Sequence, residues 1–91
     1  MNGLLEYPEW KSYTKQFQSK LVRAIVDMPY HIVVMRTEGT LFAHVQEWPG
    51  CMTNGDTWPE LGDLIEDAMI IWAETCLEDM NYVPAPYEEE E

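Results

Sequence analysis

The twelve residues 49–60, Pro-Gly-Cys-Met-Thr-Asn-Gly-Asp-Thr-Trp-Pro-Glu, constrain this chain more than any other stretch. They place a turn, a short extended segment and a helix start in a set order. Pro49-Gly50 is a turn signal, because proline presets φ and glycine tolerates φ > 0. Asn54-Gly55 is a second turn signal. Thr57 and Glu60 have the spacing of a capping box: the Thr57 hydroxyl accepts from the N–H of Glu60, and the Glu60 carboxylate reaches back to the N–H of Thr57. Pro59 falls in the first helical turn, where a missing N–H is harmless.

The flanking sequence predicts what this device connects. Trp10, Tyr13, Phe17, Leu21, Ala24, Ile25 and Met28 recur at steps of three and four, which predicts a helix over residues 8–28 after an irregular segment 1–7. Pro29 ends it, since the residue before proline avoids the α region. Two β-rich runs, 30–36 and 40–47, flank the turn signal Glu38-Gly39 and predict an antiparallel hairpin. Leu41, Ala43 and Val45 alternate with Phe42 and His44, and neither face is purely polar. One face needs a helix over it, and part of the other needs a second cover. Residues 51–54 form a short third strand.

A long helix follows over residues 58–80, with Leu61, Leu64, Ile65, Ala68, Met69, Trp72, Cys76 and Met80 as its apolar stripe. Gly62 lowers its helix propensity by about 1 kcal/mol, which points to close packing or a weak start. Glu78 and Asp79 lie at the negative end of the helix dipole with no basic residue nearby in sequence. Asn81 suits a left-handed position after the helix. Residues 83–86 are extended, with a fourth strand from 82–86 left open, and residues 88–91 form an acidic tail expected to be disordered. The expected architecture is one α+β domain over residues 1–91. In it, a three-stranded or four-stranded antiparallel sheet packs on one long helix, with an additional N-terminal helix.

Ninety-one residues bury one modest core, so self-association into dimers or tetramers is expected. All five basic residues lie in the first 36 positions, and residues 37–91 carry fourteen acidic residues and no Lys or Arg. Nucleic-acid surfaces need the opposite sign, so direct RNA or DNA binding by this part is not expected. An acidic face fits a basic protein partner or simply keeps a chain soluble. No apolar run approaches the length of a membrane span. Without a signal-peptide pattern, and with Cys51 and Cys76 on different predicted elements, the chain reads as cytoplasmic with reduced thiols.

Few residues suggest catalysis. His31, His44 and Cys51 lack the spacing of a zinc site, and no orienting group is marked for a Cys–His pair. The helix carboxylates follow an outer-face periodicity rather than converging on metals. No glycine-rich phosphate loop is present. No enzyme activity, cofactor or metal is therefore expected. Trp58, at the first helical position beside the turn, is a candidate interface anchor. The carboxylates Glu60, Asp63, Glu66, Asp67 and Glu74 on the same helix are candidate contacts for a basic partner.

The pattern Pro49-Gly50-Cys51, Thr53, Gly55-Asp56-Thr57 and Glu60 resembles the HicB-like antitoxin family. It follows two strands that carry Phe42-Ala43 and Glu47-Trp48, and it precedes a long helix containing Ile71-Trp72 and Leu77 and then Pro84-Ala85-Pro86. The resemblance covers residues 30–86. It implies a partial ribonuclease H-like unit without nuclease activity, which binds a small basic mRNA-cleaving toxin of the HicA type and masks its active site. Within it, Pro49, Gly50, Cys51, Gly55, Asp56 and Thr57 are scaffold residues. Two features depart from the family. The chain ends without the C-terminal DNA-binding domain of many members, so an interaction module that has lost its toxin is the alternative expectation. The N-terminal helix is an addition, expected to cover the second face of the sheet or a neighbouring subunit.

Overall fold

The structure, a computed structural model, describes residues 3–88. The elements in chain order are β1 (Leu4–Glu6), a 3-10 turn (Trp10–Ser12), α1 (Lys15–Val26), β2 (Ile32–Thr37), β3 (Thr40–Val45), β4 (Met52–Gly55), α2 (Trp58–Met80) and β5 (Tyr82–Pro84). Strands β2, β3 and β4 form an antiparallel sheet in that order, and β1 and β5 form a separate two-stranded ribbon. The fold class is α+β, with a three-stranded antiparallel sheet and two helices.

Local chemistry accounts for most joints. Glu38 and Gly39 both adopt positive φ, 50° and 84°, the type I′ geometry whose twist suits a two-residue hairpin. Thr37 consequently pairs with Thr40, and Ile32 with Val45. Cys51 N–H donates to the Trp48 carbonyl at 3.0 Å with Gly50 at φ 85°, a turn with proline and then glycine in its centre, as expected. Thr57 Oγ1 accepts from the N–H of Glu60 at 3.3 Å. The reciprocal half of the cap is displaced by one residue: Glu60 Oε1 accepts from the N–H of Asp56 at 2.6 Å, not from Thr57. At the other end Asn81 stands at φ 61° and its N–H donates to the Leu77 carbonyl.

On the sheet, Leu41, Ala43 and Val45 are buried beneath α2, and Phe42 and His44 lie on the opposite face. The core is closed by aromatics. Trp48, fully buried, stacks on Trp72 with ring centroids 4.9 Å apart and planes 9° apart, and it meets Tyr30 at 4.3 Å. The Trp48 indole N–H and the Tyr30 hydroxyl both donate to the Pro84 carbonyl, at 3.0 and 2.7 Å. The Trp72 indole N–H donates to the Pro49 carbonyl at 3.1 Å. Turn, long helix and β5 are thus tied through three indole or phenol donors. No helix among the described residues is long and apolar enough to cross a membrane.

Several expectations are corrected. The first helix begins at Lys15 rather than residue 8, because the Thr14 hydroxyl caps it by accepting from Phe17 N–H at 3.1 Å. The residues before it pass through the 3-10 turn, which buries Trp10. The buried stripe differs as well, because α1 packs against α2: Val22, Ile25 and Val26 are buried, whereas Phe17, Ala24 and Met28 are exposed. Residues 1–7 are not wholly irregular, since Leu4–Glu6 pair with Tyr82–Pro84. The extended C-terminal segment therefore finds β1 as its partner and adds no fourth strand to the sheet. Asn54-Gly55 is the end of β4, not a turn. A Cβ on Gly55 would lie 3.1 Å from Glu60 Oε1 and 3.2 Å from Leu61 N, so this glycine serves the close approach of strand and helix. Gly62, by contrast, has open space where a Cβ would stand, so close packing does not explain it. Finally, α1 packs against α2 rather than over the second face of the sheet. The β1–β5 ribbon holds the N-terminal segment at the C-terminal end of α2, which directs α1 back along that helix. The acidic tail expected over residues 88–91 lies, after Glu88, outside the described residues.

Candidate partner-binding surface

Helix α2 carries the candidate surface. Trp58 is 57 % exposed, and Glu60, Asp63, Glu66, Asp67 and Glu74 are all exposed. Their intramolecular roles differ. The Glu60 carboxylate is committed to the cap through Asp56 N–H. Glu66 lies 3.4 Å from the Arg23 guanidinium, which is also 2.9 Å from Asp27. These hydrogen bonds, donated by Arg23 first to Asp27 and then to Glu66, raise the already high pKa of Arg23. Glu74 borders a groove with Ser19, Val22 and Arg23 of α1. The Trp58 ring lies 5.8 Å beneath the Arg36 guanidinium, a cation–π distance. Helix α1 therefore divides the expected surface. Asp63 and Asp67, exposed on the stretch that follows Trp58, take no part in the cap, the Arg23 ion pair or the α1 groove.

Glu78 has its own explanation. Its Oε2 accepts from the Trp10 indole N–H at 2.6 Å, so a neutral donor from the far end of the chain meets the carboxylate at the negative helix end.

The structure also reveals a buried carboxylate that the sequence reading passed over. The Glu47 side chain is fully buried. Its two oxygens accept from His31 N–H at 3.0 and 3.3 Å, its Oε2 meets His31 Nδ1 at 2.6 Å, and Tyr87 N–H donates to it at 2.9 Å. Burial by itself would raise its pKa, but the hydrogen bonds from the His31 ring and from the Tyr87 and His31 backbones outweigh burial and hold it below the ordinary range. The His31 and Tyr87 rings stack at 6.3 Å. The signal was present in the alternation: Leu41, Ala43 and Val45 point inward, and Glu47 continues the same parity.

His44 and Cys51 do not form a dyad. His44 is exposed on the outer face of the sheet, whereas Cys51 is buried in the core. Burial pushes the Cys51 thiol up to about 11, and burial with the neighbouring Asp79 raises Cys76. Neither thiol is an activated nucleophile at neutral pH. Among the described residues, no three of His, Cys, Asp and Glu are arranged to hold a metal ion. Gly50 supplies the positive φ of its turn, and Thr57 caps α2 through its hydroxyl.

The outer face of the sheet is the second open surface. Val33, Met35, Phe42 and Met52 line a shallow concavity of about 290 Å³ together with His44 and Asn54, and these four apolar side chains are substantially exposed. No described element covers them. Comparison with protein-family models, with characterised proteins and with solved structures gives no match.

Proposed function

We propose that this chain is an antitoxin-type binding protein of the HicB-like kind, which neutralises a small basic mRNA-cleaving toxin by masking its active site. Its three strands and long helix would then be a partial ribonuclease H-like unit acting as a scaffold. The supporting observation is the exposed stretch of α2 that begins at Trp58 and carries Asp63 and Asp67, in a segment without a Lys or Arg from residue 37 onward. Such a surface attracts a cationic partner and accelerates its encounter. The sequence pattern 49–60 supports the family assignment. The buried thiols and the separation of His44 from Cys51 favour binding over nucleophilic chemistry.

The test pairs the purified chain with each small basic protein encoded beside it and measures binding and RNA cleavage at low and high salt. The expected result is complex formation that weakens as salt rises and loss of cleavage in the complex. Replacing both Asp63→Asn and Asp67→Asn should weaken the complex without changing the fold. Absence of binding at low salt to any such protein overturns the reading.

A further inference from the structure

The open edge of β2 has properties that no other part of the sheet shares. Gln46 N–H donates to the His31 carbonyl at 2.8 Å, which sets the phase of the β2–β3 ladder. Residues 31, 33, 35 and 37 turn their backbone groups toward β3, and Ile32, Val34 and Arg36 turn theirs outward. All six residues of β2 are exposed on both faces, because α2 lies over β3 and β4 and not over β2. The edge has no proline, no bulge and no covering element among the described residues, and Arg36 is its one charged side chain. The other edge, β4, is only four residues long and runs into α2.

We infer that β2 is the interface for a second copy of this chain, joined antiparallel about a two-fold axis through Val34 into a continuous six-stranded sheet. Three observations select this occupant. First, directly opposed residues in an antiparallel pair lie on the same face, so a two-fold normal to the sheet must pass through a residue position. The position at Val34 alone uses all three outward-facing residues: Val34 meets its own copy, and Ile32 of each copy meets Arg36 of the other. That arrangement supplies about six inter-copy backbone hydrogen bonds. Second, a chain of net charge −12 repels itself wherever carboxylates meet, and β2, β3 and β4 contain no acidic residue. Third, the apolar pair Val33 and Met35 on the outer face would meet the same pair, in reverse order, on the other copy.

This inference does not depend on the toxin reading, and salt separates the two. Screening weakens binding to a basic partner, but it strengthens association between two acidic copies. The experiment measures mass by light scattering over a wide concentration range, and amide hydrogen exchange by NMR. The expected result is a mass near twice 10.6 kDa, with association tightening as salt rises. The amides of Ile32, Val34 and Arg36 should exchange as slowly as those of Val33 and Met35, which β3 protects in either state. The variant Val34→Lys opposes two cations at the axis although it lowers the net negative charge, and it should weaken association roughly tenfold or more. A monomer at all concentrations overturns the inference, and so does a dimer whose Ile32, Val34 and Arg36 amides exchange freely. Unchanged association of a folded Val34→Lys variant also overturns it. If that variant does not fold, exchange in the unaltered protein decides. Protection of β2 that arises only on adding a basic partner assigns the edge to that partner instead.

Discussion

Glu47 and His31 are joined by a 2.6 Å contact between a fully buried carboxylate oxygen and the imidazole Nδ1. Sixteen positions apart, they fasten the start of the β2 strand to the end of β3 and, through Tyr87 N–H, to the C-terminal segment. The same carboxylate closes three parts of the chain, so its protonation and its removal have calculable effects.

Glu47 is held below the ordinary carboxyl range. A carboxyl whose folded pKa lies below its unfolded value contributes stability above the unfolded value, and that contribution is lost as pH falls through the folded value. Thermal melts should therefore be insensitive to this group at neutral pH and decline below about pH 4.5, the unshifted value. Glu47→Gln turns an amide donor toward N–H donors and should cost about 1–3 kcal/mol at pH 7, or about 4–8 °C in Tm per kcal/mol. The variant should also lose less stability on acidification than the unaltered protein. Equal melts for both proteins at pH 7 would contradict this role.

The cysteines should be unreactive in the native state. With Cys51 pushed up to about 11 by burial, roughly one thiol in a thousand is thiolate at pH 8, and Cys76 is buried as well. A chromogenic disulfide reagent should react slowly with the folded protein and promptly with both thiols after addition of denaturant. Fast reaction of one thiol without denaturant would show that its site opens readily.

Two glycines of the same region should respond with opposite signs. Gly55→Ala places a Cβ 3.1–3.3 Å from Glu60 and from the Leu61 backbone, and the forced displacement should cost about 1–3 kcal/mol. Gly62→Ala meets nothing within 4 Å and should stabilise α2 by about 0.5–1 kcal/mol. Chemical denaturation of the two variants reads both effects, and stabilisation by Gly55→Ala would disprove the close-approach argument.

The Trp10–Glu78 hydrogen bond spans 68 positions and ties the segment before α1 to the end of α2. A double-mutant cycle with Trp10→Phe and Glu78→Ala should return a coupling of about 1–2 kcal/mol. A coupling near zero would mean that Trp10 contributes through packing alone.

Much of the fold was legible because its signals are local. The helix at 58–80 announced both its ends: Thr57 and Pro59 at the start, Asn81 at the stop. Glu38-Gly39 defined a two-residue turn, and the alternation of Leu41, Ala43 and Val45 defined the buried side of the β3 strand. The same parity would have placed Glu47 inward. The early part of the chain misled because apolar spacing at Trp10 and Tyr13 continues that of the helix, whereas the Thr14 cap sets the actual start. The candidate surface was legible as a set of exposed carboxylates. The division of that set, with Glu60 in the cap, Glu66 beside Arg23 and Glu74 beside α1, depends on contacts between elements distant in sequence.

The sequence by itself determined the element types from Ile32 to Met80, the turns at Glu38-Gly39 and Pro49-Gly50 and the concentration of negative charge after residue 37. These follow from backbone preferences, side-chain periodicity and counting, each of which acts within a few residues. Only the tertiary structure decided that the two ends of the chain pair as β1 and β5, that α1 lies along α2, and that the β2 edge and the outer sheet face remain open. The physical reason is the range of the forces involved. Backbone pairing between residues about eighty positions apart, and the choice of which apolar surface a helix covers, minimise exposed area and unpaired backbone groups over the whole molecule, a quantity that no local stretch of sequence contains.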